Sequence, residues 1–115
     1  MNVLIYHNPH CSKSRATLAL LRERGIEPEV IEYLTTPPSA AQIETILRQL
    51  GMAPRDLLRT GEAAYKELGL GDTKKSDKAI VKAMAENPVL IERPIVIANG
   101  RAALGRPPEN ALNVL

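Results

Sequence analysis

The first third of the chain sets an apolar run, a loop leading into a helical pattern, and a second strand-like run in close succession, and that order leaves few folds open. Val3 to Tyr6 is short and continuously apolar, the pattern of a strand covered on both faces at the centre of a sheet. After the polar loop His7-Asn8-Pro9-His10, helical periodicity runs from about Ser12 to Arg24, with Leu18 and Leu21 on one face and Gly25 placed to cap the end. Glu29 to Tyr33 is the next strand candidate. A strand-helix-strand unit of this length implies a right-handed crossover, so its two strands are parallel neighbours. Cys11, the only cysteine, falls at the start of the helix.

Thr36-Pro37-Pro38 breaks the pattern, and Ser39 with Gln42 makes a capping box ahead of Ile43, Ile46, Leu47 and Leu50, with Gly51 ending that helix. Shorter helical pieces are expected around Pro54 to Leu58 and Glu62 to Leu68, and a longer one from Ser76 to Glu86 with Ile80, Ala83 and Met84 on one face. Ile95 to Ala98, Asn99-Gly100 and Arg101 to Leu104 read as a hairpin, because Asn-Gly suits a type I′ turn. Pro107 and Pro108 start a last expected helix. The fold class is therefore α/β: a thioredoxin-like four-stranded mixed sheet flanked by helices, with a helical insertion of about 38–88 between strands 2 and 3. With 115 residues the chain suits one core and is short for two, so a single domain over 1–115 is expected. Gly69-Leu70-Gly71 lacks the third glycine and the strand context of a dinucleotide fingerprint.

Charge narrows the partners. The formal net charge is +2, and the basic residues are spread out with no aromatic residues between them, so no nucleic-acid surface is expected, while a small anion remains open. No apolar run approaches the roughly 20 residues that cross a bilayer, and the sequence from Met1 carries no signal-peptide pattern, which points to the cytoplasm and to no membrane partner.

A lone cysteine cannot form a disulfide within the chain, so Cys11 is either a buried inert thiol or a reactive one. Position favours reactivity: unpaired N–H groups and the positive end of the helix dipole stabilise a thiolate there. Ser14 and Arg15 lie one turn further along. His7, His10 and Cys11 offer three ligand types but fit no zinc spacing, and no second cluster completes a shell, so no metal is expected. A phosphatase-like anion loop would need arginine six positions after the cysteine, where Thr17 stands.

His7-Asn8-Pro9-His10-Cys11-Ser12-Lys13-Ser14-Arg15, followed by Thr17 and Leu18, resembles the active-site segment of the glutaredoxin-coupled arsenate reductases. Leu57-Leu58-Arg59, Leu68-Gly69-Leu70, Leu90-Ile91-Glu92-Arg93-Pro94-Ile95-Val96 and Gly105-Arg106-Pro107-Pro108-Glu109 follow in the family's order, so the resemblance covers nearly the whole chain. It implies a thioredoxin-like fold in which Cys11 attacks arsenate, Arg59, Arg93 and Arg106 bind the anion, and Pro94 is a cis-proline. It also implies that His7 lies near the thiol and that Ser14 aids the thiolate. Asn8 and Arg15, within the matching segment, complete the candidate site as substrate-binding and catalytic residues. No bound cofactor is expected. Glutathione would act as co-substrate by attacking the adduct, and glutaredoxin would then reduce the mixed disulfide as arsenite is released.

These roles meet physical needs, since forked guanidinium donors match a tetrahedral oxyanion better than lysine does. A chain without a second thiol also needs an external one to finish the cycle. On the residues alone Arg59 could instead be a solvated surface arginine, and His7 could equally cap local backbone. Two other functions stay open. One is a glutathione-dependent thiol oxidoreductase of another substrate. The other is a non-enzymatic polymerase-binding stress regulator of the same fold, although Ser14 stands where many such proteins carry the second cysteine of a Cys-x-x-Cys switch.

Overall fold

The computed structural model describes residues 2–115, so Met1 lies outside the described residues. The chain divides into two compact units: the residues through Thr36 together with Arg93–Leu115, and the intervening Pro37–Glu92.

The first unit holds the sheet. Its elements are β1 (Val3–His7), α1 (Ser12–Glu23), β2 (Glu29–Glu32), β3 (Ile95–Ala98) and β4 (Arg101–Leu104), with strand order β2-β1-β3-β4. β1 runs parallel to β2, with Ile5 opposite Val30, and antiparallel to β3, with Ile5 opposite Val96. The hairpin between β3 and β4 turns on Asn99 (φ 55°) and Gly100 (φ 71°), the two positive φ values that a type I′ turn requires. This is the expected mixed sheet, with β1 central.

Val3, Ile5, Leu21, Val96, Ala98, Ala111 and Val114 form one buried cluster, against which Leu18, Ile26, Ala103 and Leu115 pack. A fully buried Ile5, Leu21 or Val96 contributes about 1.5–3 kcal/mol. Because Ile5 lies on β1 and Leu21 on α1, that burial fixes where the loop between them, and hence Cys11, stands.

Local outcomes differ from the sequence expectation at several ends. β2 stops at Glu32, one residue before the buried Tyr33. α1 ends at Glu23, with Arg24 as its C-cap and Gly25 at φ 75°. The segment after Pro107 is a 3₁₀ helix, Pro108–Val114, rather than an α-helix. Its seven residues include Asn110 and Asn113, poor helix formers whose side chains meet each other at 3.4 Å, and so short a segment favours the tighter turn.

The second unit is helical. α2 (Ala40–Leu50) opens with the expected capping box: Ser39 Oγ accepts from Gln42 N at 3.2 Å, and Gln42 Oε1 accepts from Ser39 N at 2.8 Å. A 3₁₀ turn at Pro54–Leu57 stands where one short helical piece was expected, followed by α3 (Ala63–Glu67) and α4 (Asp77–Glu86), whose N-cap Ser76 accepts from Ala79 N at 3.1 Å. Arg55 ties the glycine-containing loop down, donating to the carbonyls of Leu70 (2.8 Å), Asp72 (2.7 Å) and Lys75 (3.0 Å). The insertion expected at about 38–88 falls inside this unit. Among the described residues, no helix is long and apolar enough to cross a membrane.

Candidate active site

Cys11 is the N-cap of α1, with extended backbone angles (φ −98°, ψ 122°), and its own N–H is satisfied by the Asn8 carbonyl at 3.0 Å. At an N-cap the side chain faces the N–H groups of the second and third helical residues, here Lys13 and Ser14. Burial of the half-buried thiol raises its pKa. The Ser14 N–H, the Arg93 guanidinium acting by hydrogen bond and by charge, and the Lys13 N–H together outweigh that effect and leave the pKa below its usual value. The site therefore favours a thiolate.

The cation responsible differs from the nearest one in sequence. Arg15 turns away, its Nη1 donating to the Pro9 carbonyl at 2.9 Å, and it lines an open cleft of about 660 Å³ with His7, Pro9, Leu18, Ala19 and Arg22. Arg93 arrives from the far end of the sequence, immediately before β3, and the Arg93–Pro94 bond is cis. Arg106 stands with it: its Nη1 donates to the Arg93 carbonyl at 3.2 Å. Two of the three arginines, Arg93, which is the thiol's cation, and Arg106, thus share one loop cluster.

Ser14 is fully buried, and its hydroxyl is engaged away from the sulfur. Ser14 Oγ accepts from Asn8 N at 3.0 Å and lies 2.6 Å from His7 Nδ1. Asn8 Oδ1 in turn accepts from His10 N at 2.9 Å. His7, 6% exposed, has its pKa lowered, first by burial and further by Arg22 and Arg15, against an opposing pull from Glu32. A neutral ring is favoured, and with its hydrogen on Nε2 it accepts the Ser14 proton at Nδ1. So His7, Asn8 and Ser14 form one buried network that shapes the loop before Cys11, while the part of Ser14 that acts on the sulfur is its backbone N–H.

Arg59 belongs to the second unit, where Nε donates to Glu62 Oε1 at 3.1 Å and Nη1 to Glu92 Oε1 at 2.7 Å. Among the described residues, no group of three or more His, Cys, Asp or Glu side chains is arranged to hold a metal ion.

Two residues that hold the site together lie in the matching motifs but received no role there. Thr17 is fully buried, its Oγ1 donating to the Lys13 carbonyl at 2.8 Å and reaching the Gly105 carbonyl at 3.5 Å, while Gly105 N donates to the Pro94 carbonyl at 2.9 Å. This chain of contacts ties α1 to the loops that carry Arg93 and Arg106. A Cβ on Gly105 would collide with Thr17 Oγ1 and come within 2.7 Å of Pro94 Cγ. Gly105→Ala is therefore expected to destabilise the protein by about 1–3 kcal/mol, the usual cost of overpacking, seen as a lower urea midpoint at unchanged slope. An unchanged midpoint would mean that the approach relaxes freely. Their places in the motifs are the available signal, and the glycine reads equally well as a turn.

Comparison with known proteins finds relatives along almost the whole chain. The ArsC family model matches residues 6–114. The Escherichia coli protein YfgD is 55% identical over 114 residues, covering 98% of this chain and 96% of that one. A protein of Neisseria meningitidis serogroup A named arsenate reductase is 51% identical over 114 residues, covering 98% of this chain and 97% of that one. The solved structure titled arsenate reductase from Vibrio cholerae superposes with a TM-score of 0.98 at 56% identity, covering 100% of this chain and 98% of the other.

Proposed function

This chain belongs to the ArsC family, and on that premise we propose that it is an arsenate reductase in which Cys11 is the nucleophile and glutathione and glutaredoxin complete the cycle. The observation that carries this reading is the thiol at the N-cap of α1, its pKa drawn down against burial by two helix N–H groups and the Arg93 guanidinium. Family relatives named arsenate reductase at about half identity supply the substrate.

The Cys11 thiolate adds to the arsenic of arsenate, and one arsenic-bound oxygen leaves, protonated, as water. Arg93 and Arg106 offer forked donors that neutralise the anion before attack and the charge that builds during it. Arg59 takes the third such place on its motif. Glutathione then attacks the adduct. Arsenic keeps the electron pair of its bond to sulfur and departs as arsenite, two electrons richer, and Cys11 and glutathione are left joined as a disulfide. A glutaredoxin thiol removes the glutathione and restores Cys11. His7, Asn8 and Ser14 keep the loop in the shape that aims the Lys13 and Ser14 N–H groups at the sulfur. No step calls for a bound cofactor, and the chemistry suits the cytoplasm, where thiols are kept reduced.

Arsenite formation is expected to need arsenate, glutathione and glutaredoxin together, and omission of glutaredoxin should leave Cys11 carrying one glutathione, visible as an intact-mass increase. Turnover that continues without glutathione would overturn the coupling. Glutathione consumption that arsenate does not stimulate would overturn the substrate.

A further inference from the structure

The open cleft beside the loop that precedes Cys11 has no part in the steps above, yet its lining is charged in a definite pattern. Its volume of about 660 Å³ falls in the range of small-molecule sites, and every residue that lines it belongs to the first unit. Pro9, Leu18 and Ala19 supply its apolar lining, and Arg15, Arg22 and Glu23 its charges. Arg15, Leu18 and Arg22 stand four, seven and eleven residues after Cys11, the spacing of one helix face, so the nucleophile heads the stripe that lines the cleft. His7 lines it as well. Its pKa is lowered first by burial and then by the charges of Arg22 and Arg15, against an opposing pull from Glu32, so both guanidiniums act on one small space.

Neither cation is committed elsewhere. Arg15 is exposed and uses only Nη1, on the Pro9 carbonyl at 2.9 Å, while its Nε and Nη2 make no hydrogen bond among the described residues. Arg22 pairs with Glu27 at 3.1 Å, but the two side chains are 52% and 71% exposed, and pairs so solvated contribute little, so another carboxylate can take the place of Glu27. Seven residues of helix separate the two arginines, about 10 Å along the axis. Glutathione carries one carboxylate at each end, and its three residues, extended, span about the same 10 Å. At its γ-glutamyl end the carboxylate shares a carbon with an ammonium, and Arg22 is followed by Glu23, an anion lining the same cleft. We propose that this cleft seats the glutathione that attacks the arsenate adduct, with the glycine carboxylate on Arg15 and the γ-glutamyl head on Arg22 and Glu23. The proposal rests on the reading that glutathione supplies the second thiol. The chemistry needs this polarity: the γ-linkage lengthens one arm of glutathione, so its sulfur lies nearer the glycine end and stands toward Cys11.

Capture of the adduct in the first turnover isolates this step. Protein given arsenate, without glutaredoxin, is mixed with increasing concentrations of thiol, and the mixed disulfide on Cys11 is followed by intact mass. Arg15→Ala and Arg22→Ala are each expected to raise the half-saturating glutathione concentration about 3- to 10-fold, as loss of one exposed charge-assisted contact implies. Altered thiols assign the ends. With glutathione amidated at its glycine carboxylate, Arg15→Ala and wild type should need the same concentration, while Arg22→Ala should still need more. Cysteinylglycine, which lacks the γ-glutamyl head, should reverse that pattern. An arginine effect that persists when the matching end is removed would overturn the proposal, because the arginine would then act on something other than that end. If wild type forms no glutathione disulfide on Cys11, the reading of glutathione as the second thiol fails. If it forms one and both variants behave as wild type, the seat in this cleft is overturned and that reading stands.

Discussion

Cys11→Ser is expected to reduce arsenite release to the uncatalysed background, a fall of at least about 10³-fold, because a serine hydroxyl is not ionised near neutral pH and is a far weaker nucleophile than a thiolate. The substitution is informative because it separates chemistry from folding. Cys11 is the N-cap of α1, and serine is among the best N-cap residues, so the variant should fold with unchanged or slightly raised stability. Loss of activity with an intact urea transition therefore reports on the sulfur alone. Retention of more than about a tenth of wild-type turnover would place the nucleophile elsewhere or make the reaction noncovalent.

The second large effect concerns Arg93. Burial raises the Cys11 pKa, and the Ser14 N–H opposes it, but the side-chain contributions that bring the value below normal both come from Arg93. Arg93→Ala should move the Cys11 pKa upward. Reaction rate follows the thiolate fraction, so the rising limb of the activity profile should shift to higher pH, and kcat/KM at neutral pH should fall about 10²-fold as anion contacts are lost as well. The sign can be checked through stability too. A thiol with a depressed folded pKa stabilises the fold above the unfolded thiol's pKa, and that contribution is lost as pH falls through the folded value. Alkylation of Cys11 by iodoacetamide without arsenate isolates thiol activation from anion binding. An alkylation profile identical in wild type and Arg93→Ala would refute activation by Arg93. Arg93→Lys keeps the charge but not the fork, so it should recover the alkylation profile better than it recovers KM.

How far the sequence foretells these features depends on how local their causes are. The strand-helix-strand opening, the Ser39 capping box and the Asn99-Gly100 turn each follow from a few adjacent residues, and each stands as the patterns indicate. The helix after Pro107 did not form as an α-helix, because proline signals a start but says nothing of whether seven residues can sustain one. At the site, the N-cap position of Cys11 is legible from spacing, whereas the choice of Arg93 over Arg15 is not. Arg15 is four residues away and was the natural candidate, yet the Pro9 carbonyl claims it. Nothing within a local window shows that a loop some eighty residues later supplies the cation. Thr17 and Gly105 escape notice for the same reason, since their contact matters only once α1 and the Pro94 loop are together.

The placement of β3 beside β1 has a consequence for how the protein acquires its reactivity. Ile5 and Val96 pair across about ninety residues of chain, a closure whose entropic cost must be met before the contact rewards it. β1 and β2 can meet through α1 alone, so Cys11 can take its place at the helix end early. Arg93 cannot reach it until that long closure is made. Until then the thiol has the N–H groups of α1 beside it but lacks the Arg93 guanidinium. The reactive form appears only when the last strands dock, so the same step that completes the fold arms the nucleophile.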